Sequence, residues 1–457
     1  MPTRDLEKTD PAVRADAMAP GPLLHPTRVG LVSLGCAKNL VDSEKMLGKL
    51  VAAGCEVVGT PEDADVIIVN TCGFIADARK ESVNTILEMS RLKQNGKRLI
   101  VTGCLVQRYA QELKKELPEV DAFLGVSGQD AIVGLAGLQD IGVSALAEAR
   151  RTHTGPAHFA YLKISEGCNL ECSFCAIPGI RGPQRSRQIP ELVAEAEELA
   201  STGVTEMVLV AQDTTAYGRD LAERPTLAAL IRALVPIEGL RWIRLNYLYP
   251  NHLSDELLET IAGEPKVCKY IDMPLQHSHP EVLAAMMRGG SAATHLRLLE
   301  RIRALVPGAF LRSTFIVGFP NETIERFDSL PAFLRDAAFD HAGVFTYSRE
   351  EGTSAWQLGD PVSEREKRRR RAVAMQTQQE VSVLNNTGRI GQVHDAVVEG
   401  VGRFYYICRM AGQAPEVDGM TRVRRATEAG LQPGDYLTAR ITAAAAYDLE
   451  AEIVPHA

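Results

Sequence analysis

Three cysteines, Cys168, Cys172 and Cys175, fall within eight residues of the stretch SEGCNLECSFCAIP, which contains no histidine. Thiolates separated by three residues and then two can wrap one compact inorganic centre. A cuboidal 4Fe–4S cluster has four irons, so three cysteines leave one iron without a protein ligand. An open coordination position marks a metal site that performs chemistry rather than one that only braces a fold. The competing interpretation is a zinc site completed by a distant ligand. Zinc ordinarily announces itself with a second CxxC or a histidine pair, and the sequence around these thiols shows neither.

The elements that must position these thiols are legible in the flanking pattern. FAYLKIS, just before them, is the first of six strand signals between about 158 and 350, followed by MVLVAQD, WIRLNYL, YIDMPLQ, LRSTFIVG and HAGVFTYS. Helical segments such as IPELVAEAEELASTG and TIERFDSLPAFLRDAA lie between them. Six βα units predict a partial (βα)6 parallel barrel, short of the eight that close a full one. Upstream, RVGLVSL, DVIIVN and RLIVTG read as buried parallel strands alternating with helices that stop at glycine, an open α/β sheet. Cys36, Cys72 and Cys104 each sit just past the carboxyl end of one of these strands. Such ends face one crevice in an open parallel sheet, so three cysteines distant in sequence are placed to converge on a second three-thiol cluster. The bland alternative is three buried core thiols. Cys55, Cys268 and Cys408 lack this placement and are assigned to packing.

The fold class is therefore α/β. An extension over 1–26, rich in proline and mixed charge, is expected to be disordered. An open α/β domain follows over 27–140, a Gly- and Ala-rich linker around 128–157, the barrel over 154–384, and a small antiparallel β-barrel over 385–457. The totals narrow the function classes. The 457 residues are 45% hydrophobic and 24% charged, an ordinary globular composition. A net charge of −8 argues against non-specific binding to nucleic acid or anionic lipid. No apolar run reaches the ~18 residues of a membrane span, and the amino terminus lacks the apolar core of a signal peptide. A cytoplasmic location is expected, where nine cysteines serve as metal ligands or core thiols rather than disulfides.

GCNLECSFC at the end of the first strand of a six-unit βα barrel resembles the radical S-adenosylmethionine (SAM) enzymes. The resemblance implies that SAM chelates the open iron and that an electron from the cluster cleaves it to a 5′-deoxyadenosyl radical. Two clusters, that barrel and a terminal β-barrel together resemble the methylthiotransferases from Thr27 to the end. SLGCAKNLVDSE, NTCGFI, VAQDTTAYG, NYLYP, MPLQH and VFTYSREEGTSA look like the branch that modifies a ribosomal protein. The resemblance implies a methylthio group added to the β-carbon of an aspartate in small-subunit ribosomal protein number twelve. It also implies two 4Fe–4S clusters, one on Cys36, Cys72 and Cys104 and one on Cys168, Cys172 and Cys175. SAM would act as methyl donor and radical source, an electron donor such as flavodoxin or ferredoxin as partner, and the terminal barrel would be TRAM-like. The alternative is the sister branch that methylthiolates a tRNA adenosine; a non-catalytic iron–sulfur electron carrier or RNA-binding module is more distant.

No acid–base pair is needed, and none is read as catalytic beyond the cluster ligands. Gln212 is a candidate SAM contact, against ordinary loop polarity. Phe174 is a candidate cover for the adenosine, against packing. His277 reads as a hydrogen-bonded strand-end histidine. The usual FPGET stands here as FPNET, with Asn321 tolerated because Asn accepts left-handed backbone. EREKRRRR, 364–371, reads as a solvated helix face, with ribosomal RNA contact as the sharper option. The terminal barrel from Ser382 carries nine acidic and seven basic residues, a net of −2, which favours a basic protein partner over RNA. Contact with nucleic acid is secondary, and Tyr405 and Tyr406 are the residues that would stack on bases.

Overall fold

The computed structural model describes residues 12–14, 26–93, 96–138, 142, 149–425 and 430–454. The chain packs as two compact units, one of residues up to Thr154 with Ala176–Pro183, the other of Gly155–Cys175 with Gln184–Ala457.

The first unit is a six-stranded sheet of β1 (Ala12–Arg14), β2 (Arg28–Ser33), β3 (Glu56–Val57), β4 (Val66–Thr71), β5 (Arg98–Gly103) and β6 (Ala122–Leu124). Its order is β1-β6-β5-β4-β2-β3. Every pairing is parallel except β1 with β6. All six residues of β4 are buried, so its sequence VIIVNT is a near-continuous apolar run rather than an alternation. Helix α1 (Ala37–Ala52) seals one face through Met46, Leu47 and Leu50. Helices α2 (Ala76–Arg91) and α3 (Cys104–Glu116) seal the other through Ile86, Met89, Leu105 and Leu113. The expected disordered extension is corrected at Ala12–Arg14, which forms β1; the rest of 1–25 lies outside the described residues. The expected linker is likewise tethered at its end. Glu44 of α1, fully buried, accepts from Arg151 Nε at 2.7 Å, Thr154 N at 2.7 Å and Thr154 Oγ1 at 3.0 Å.

In the second unit all six expected barrel strands form: β7 (Phe159–Lys163), β10 (Glu206–Val210), β11 (Trp242–Leu245), β12 (Tyr270–Asp272), β13 (Phe310–Val317) and β14 (His341–Thr346). Two short strands, β8 (Ser165–Glu166) and β9 (Arg185–Ser186), pair antiparallel beside them. The parallel strands make two three-stranded sheets, β11-β10-β7 and β12-β13-β14. These are stitched by a bridge between Ile243 and Val267 and by Leu248 N donating to Asp272 O at 2.8 Å. The helix Glu364–Thr387 runs through the expected 384/385 boundary.

The terminal barrel closes as β15-β16-β17-β19-β18. Its strands are β15 (Val393–Val401), β16 (Tyr405–Met410), β17 (Thr421–Arg424), β18 (Tyr436–Ala444) and β19 (Leu449–Ile453). Four of its five seams are antiparallel, as expected, and the one between β17 and β19 is parallel. The two barrels share a buried ion network. Glu206 of β10 accepts from Arg244 Nε at 2.7 Å and from Arg409 Nη2 of β16 at 2.5 Å, and Arg409 Nε also donates to Glu399 at 2.8 Å. Both arginines act against the cost of burying Glu206 and hold its carboxyl below its ordinary pKa.

Candidate metal centres

In the first unit the three cysteines stand where the sequence places them. Cys36 caps the amino end of α1, Cys72 follows β4, and Cys104 is the first residue of α3. Helix amino termini favour anions, a contribution toward thiolate at Cys36 and Cys104 that burial opposes. Close packing brings the three strand ends together. Gly35 has φ +93, and a Cβ there would lie 2.9 Å from Cys72 Cβ and 3.2 Å from its Sγ. A Cβ on Gly73 would lie 2.8 Å from the Cys104 carbonyl carbon. Only glycine permits both approaches.

The thiols also act on one another electrically. Burial, with Cys36 and Cys72 nearby, pushes the Cys104 thiol up to about 11. Burial raises Cys72 too. Cys36 is half-buried, and against that desolvation Lys38 and Arg181 hold it below its ordinary value. One cation, Arg181, acts by charge on all three thiols. Among the described residues no three His, Cys, Asp or Glu side chains gather as a single metal ion requires.

In the second unit Cys168, Cys172 and Cys175 follow β7 on a loop that turns on itself, Cys175 N donating to Cys172 O at 3.0 Å. The sulfurs accept hydrogen bonds, as electron-rich ligands should. Leu170 N lies 3.4 Å from Cys168 Sγ, and Arg288 Nη1 lies 3.5 Å from Cys172 Sγ. Arg288 is fixed by its other nitrogen on Pro274 O, at 2.6 Å, and by stacking 4.3 Å from the Tyr249 ring. Past the carboxyl ends of the neighbouring strands β7, β10 and β11, three buried atoms have no hydrogen-bond partner: Ser165 Oγ, Gln212 Oε1 and Asn246 Oδ1. Unpaired buried polar atoms are rare in proteins. Three at one end of a parallel sheet suit a polar cofactor such as SAM.

Among the other expected residues, Gln212 also donates from Nε2 to Glu166 Oε1 at 3.1 Å. Phe174 is partly buried and packs against the cluster of Val282, Met286, Phe319, Tyr347 and Ala355. His277 is fully buried, its Nδ1 accepting from His279 N at 3.0 Å. Asn321 is absent from the residues of positive φ, so the left-handed argument is unnecessary; its amide donates to Glu281 O at 2.9 Å. Cys55, Cys268 and Cys408 lie in hydrophobic cores. The basic run is only partly a solvated face, because Lys367 and Arg370 are buried; Lys367 Nζ reaches Asp360 at 2.6 Å and Arg370 Nη1 reaches Glu322 O at 2.7 Å. Tyr406 is core and Tyr405 partly exposed. Arg181 and Arg288 were not anticipated. Each is remote in sequence from sulfurs it serves, and no spacing rule connects them.

Comparison with known proteins matches three stretches of the chain. Residues 28–125 match the Uncharacterized protein family UPF0004, 162–334 the Radical SAM superfamily and 390–454 the TRAM domain. A radical SAM methyltransferase, TsrM from Kitasatospora setae, shares the fold at TM-score 0.52 and 16% identity, over 72% of this chain and 74% of that one. Its structure was solved with cobalamin and a 4Fe–4S cluster. Fold and thiol site thus define a radical SAM enzyme carrying a TRAM barrel, a class whose cofactors are SAM and a 4Fe–4S cluster.

The ribosomal protein uS12 methylthiotransferase RimO of Pelotomaculum thermopropionicum is 46% identical, over 93% of this chain and 99% of that protein. The RimO of Aquifex aeolicus is 46% identical over 92% and 96%. The chain belongs to the RimO family of ribosomal protein uS12 methylthiotransferases. No helix among the described residues is long and apolar enough to cross a membrane.

Proposed function

We propose that this chain transfers a methylthio group to the β-carbon of an aspartate in ribosomal protein uS12. The observation that carries this reading is identity of 46% sustained over more than nine-tenths of both chains. Both thiol sets lie inside the matched regions, Cys36, Cys72 and Cys104 in 28–125 and Cys168, Cys172 and Cys175 in 162–334.

On this reading each set holds one 4Fe–4S cluster. When bound, the cofactors supply one-electron cleavage of SAM, hydrogen abstraction from an unactivated carbon and the sulfur that is transferred. The chain's own residues bind and orient. Arg288 and the Leu170 amide donate to the sulfurs of Cys172 and Cys168. Ser165, Gln212 and Asn246 offer buried polar atoms to SAM at the strand ends. No side chain is required as acid or base, because the hydrogen leaves as an atom and not as a proton. A small electron-transfer protein such as flavodoxin or ferredoxin would deliver the electrons.

Mass spectrometry of uS12 from a strain lacking this gene tests the assignment. The methylthio group should be missing from one aspartate and return when the gene is restored. Unchanged uS12 accompanied by loss of a methylthio group from tRNA would assign the chain to the sister activity.

A further inference from the structure

The segment Ala176–Pro183 begins directly after Cys175 yet packs with the first unit, beside Cys104. Ala176 and Ile180 bury themselves beside Cys104. Arg181 is 7% exposed, donating from Nη1 to Asp42 at 3.0 Å and from Nη2 to Asn39 at 3.2 Å. Both partners are on α1, the helix that starts at Cys36, and Asn39 also donates to Leu34 O at 2.6 Å and Thr71 O at 3.4 Å. The guanidinium is thus bolted to the strand-end loops that carry Cys36 and Cys72. Standing on the segment that packs beside Cys104, it acts by charge on all three cysteines, favouring the thiolate against burial. Lys38 also acts by charge on Cys36.

We propose that Arg181 is the charge-compensating positioning residue of the amino-terminal cluster, holding its reduction potential up. This rests on the assignment of Cys36, Cys72 and Cys104 as cluster ligands. One-electron reduction takes the core from [4Fe–4S]2+ to [4Fe–4S]+, the electron coming from the reductant, and adds one negative charge. A fixed guanidinium in a buried, low-dielectric site favours that added charge, and Asp42 opposes it. A basic residue that merely braced α1 through Asp42 would leave the potential alone.

The experiment uses the full chain with Cys168, Cys172 and Cys175 replaced by Ala, so that only the amino-terminal cluster loads. Iron content and the midpoint potential, followed by electron paramagnetic resonance during titration with dithionite, are measured for this protein and for three further substitutions. Arg181→Gln should make reduction at least tenfold less favourable, a 59 mV negative shift for a one-electron couple. Arg181→Lys should stay within that tenfold, because the charge remains. Asp42→Asn should shift the potential the opposite way, and this second variant decides the matter if Arg181→Gln loads poorly. Shifts of the same sign in Arg181→Gln and Asp42→Asn, or no shift in either, would overturn the role of Arg181. Absence of iron from the parent protein would instead overturn the ligand assignment itself.

Discussion

A guanidinium beside a sulfur ligand offers a hydrogen bond to charge that the metal pushes outward, and such bonds are worth about 1.5–3 kcal/mol. Arg288 is placed for this at Cys172, and its clamp between Pro274 and Tyr249 leaves it little freedom to turn away. Arg288→Met should therefore slow 5′-deoxyadenosine formation in the absence of uS12 by about ten- to a hundredfold, the range that energy implies. Retention of iron at the wild-type level is part of the expectation, and unimpaired cleavage would show that the contact is incidental. The thiols themselves give a cleaner readout. Reconstituted protein should hold about eight irons, and replacing Cys168, Cys172 and Cys175 by Ala should halve that and abolish SAM cleavage. Replacing Cys36, Cys72 and Cys104 should halve the iron as well, but leave cleavage and end sulfur transfer. The thiols were legible in the sequence because their spacing and their strand-end positions are local facts. The two arginines were not, since each reaches a sulfur only after folding brings distant segments together.

At the scale of elements, β4, β5, β7, β10, β11 and β12 were readable because burial on both faces leaves nearly continuous runs, and β13 because its alternation is sustained over eight residues. Strands β17 and β19 were not, because TRVR and LEAEI bury only alternate residues and carry charge outward. The tether of the linker was equally hidden, since it hangs on Glu44, a charged residue inside an amphipathic helix. Burial alone would raise the pKa of that carboxylate, but His153, Arg151 and the Thr154 amide hold it at about 2. A carboxyl depressed from 4.5 to about 2 contributes stability above its unfolded value and loses it as pH falls towards the folded one. The linkage is worth about 3 kcal/mol. Urea unfolding of the first unit should accordingly weaken between pH 4.5 and 2, and Glu44→Gln should flatten that dependence while making the 149–154 segment a site of proteolysis. Glu206 follows the same sign with two arginines around it. Removing its charge by Glu206→Gln strands Arg244 in a dry core and should cost about 3–5 kcal/mol; a loss below 1 kcal/mol would mean that water reaches the network.

For the molecule as a whole, the charge count of the terminal barrel misleads until the fold is known. Of its nine acids, Glu399, Glu416 and Asp418 turn towards the parallel barrel, where they meet His158, Tyr161 and Tyr270 at 3.0, 2.7 and 2.7 Å. Arg409 turns the same way. On the β17–β19 seam Arg422 stands opposite Glu450 and Arg424 opposite Glu452, so that stripe is close to neutral. A general acidic attraction for a basic ribosomal protein therefore has little surface to act from. One end of the barrel differs. Arg403 stacks 5.0 Å from the exposed Phe404 ring, and Arg425 is locked beside them through its N–H to Phe404 O at 3.1 Å and its Nη1 to Gly402 O at 2.8 Å. An arginine pair flanking an exposed ring suits a phosphate backbone with a base to stack on. Such a contact would engage the RNA of an assembled ribosomal subunit and leave the free uS12 protein indifferent. Binding of the full chain to small subunits should weaken with salt, and Arg403→Gln with Arg425→Gln should reduce the slope of log K against log salt by about two. Modification of free uS12 by the same variant should proceed at the parent rate. An unchanged slope would confine recognition to protein contacts, and equal losses on subunit and free protein would place this end of the barrel on uS12 itself.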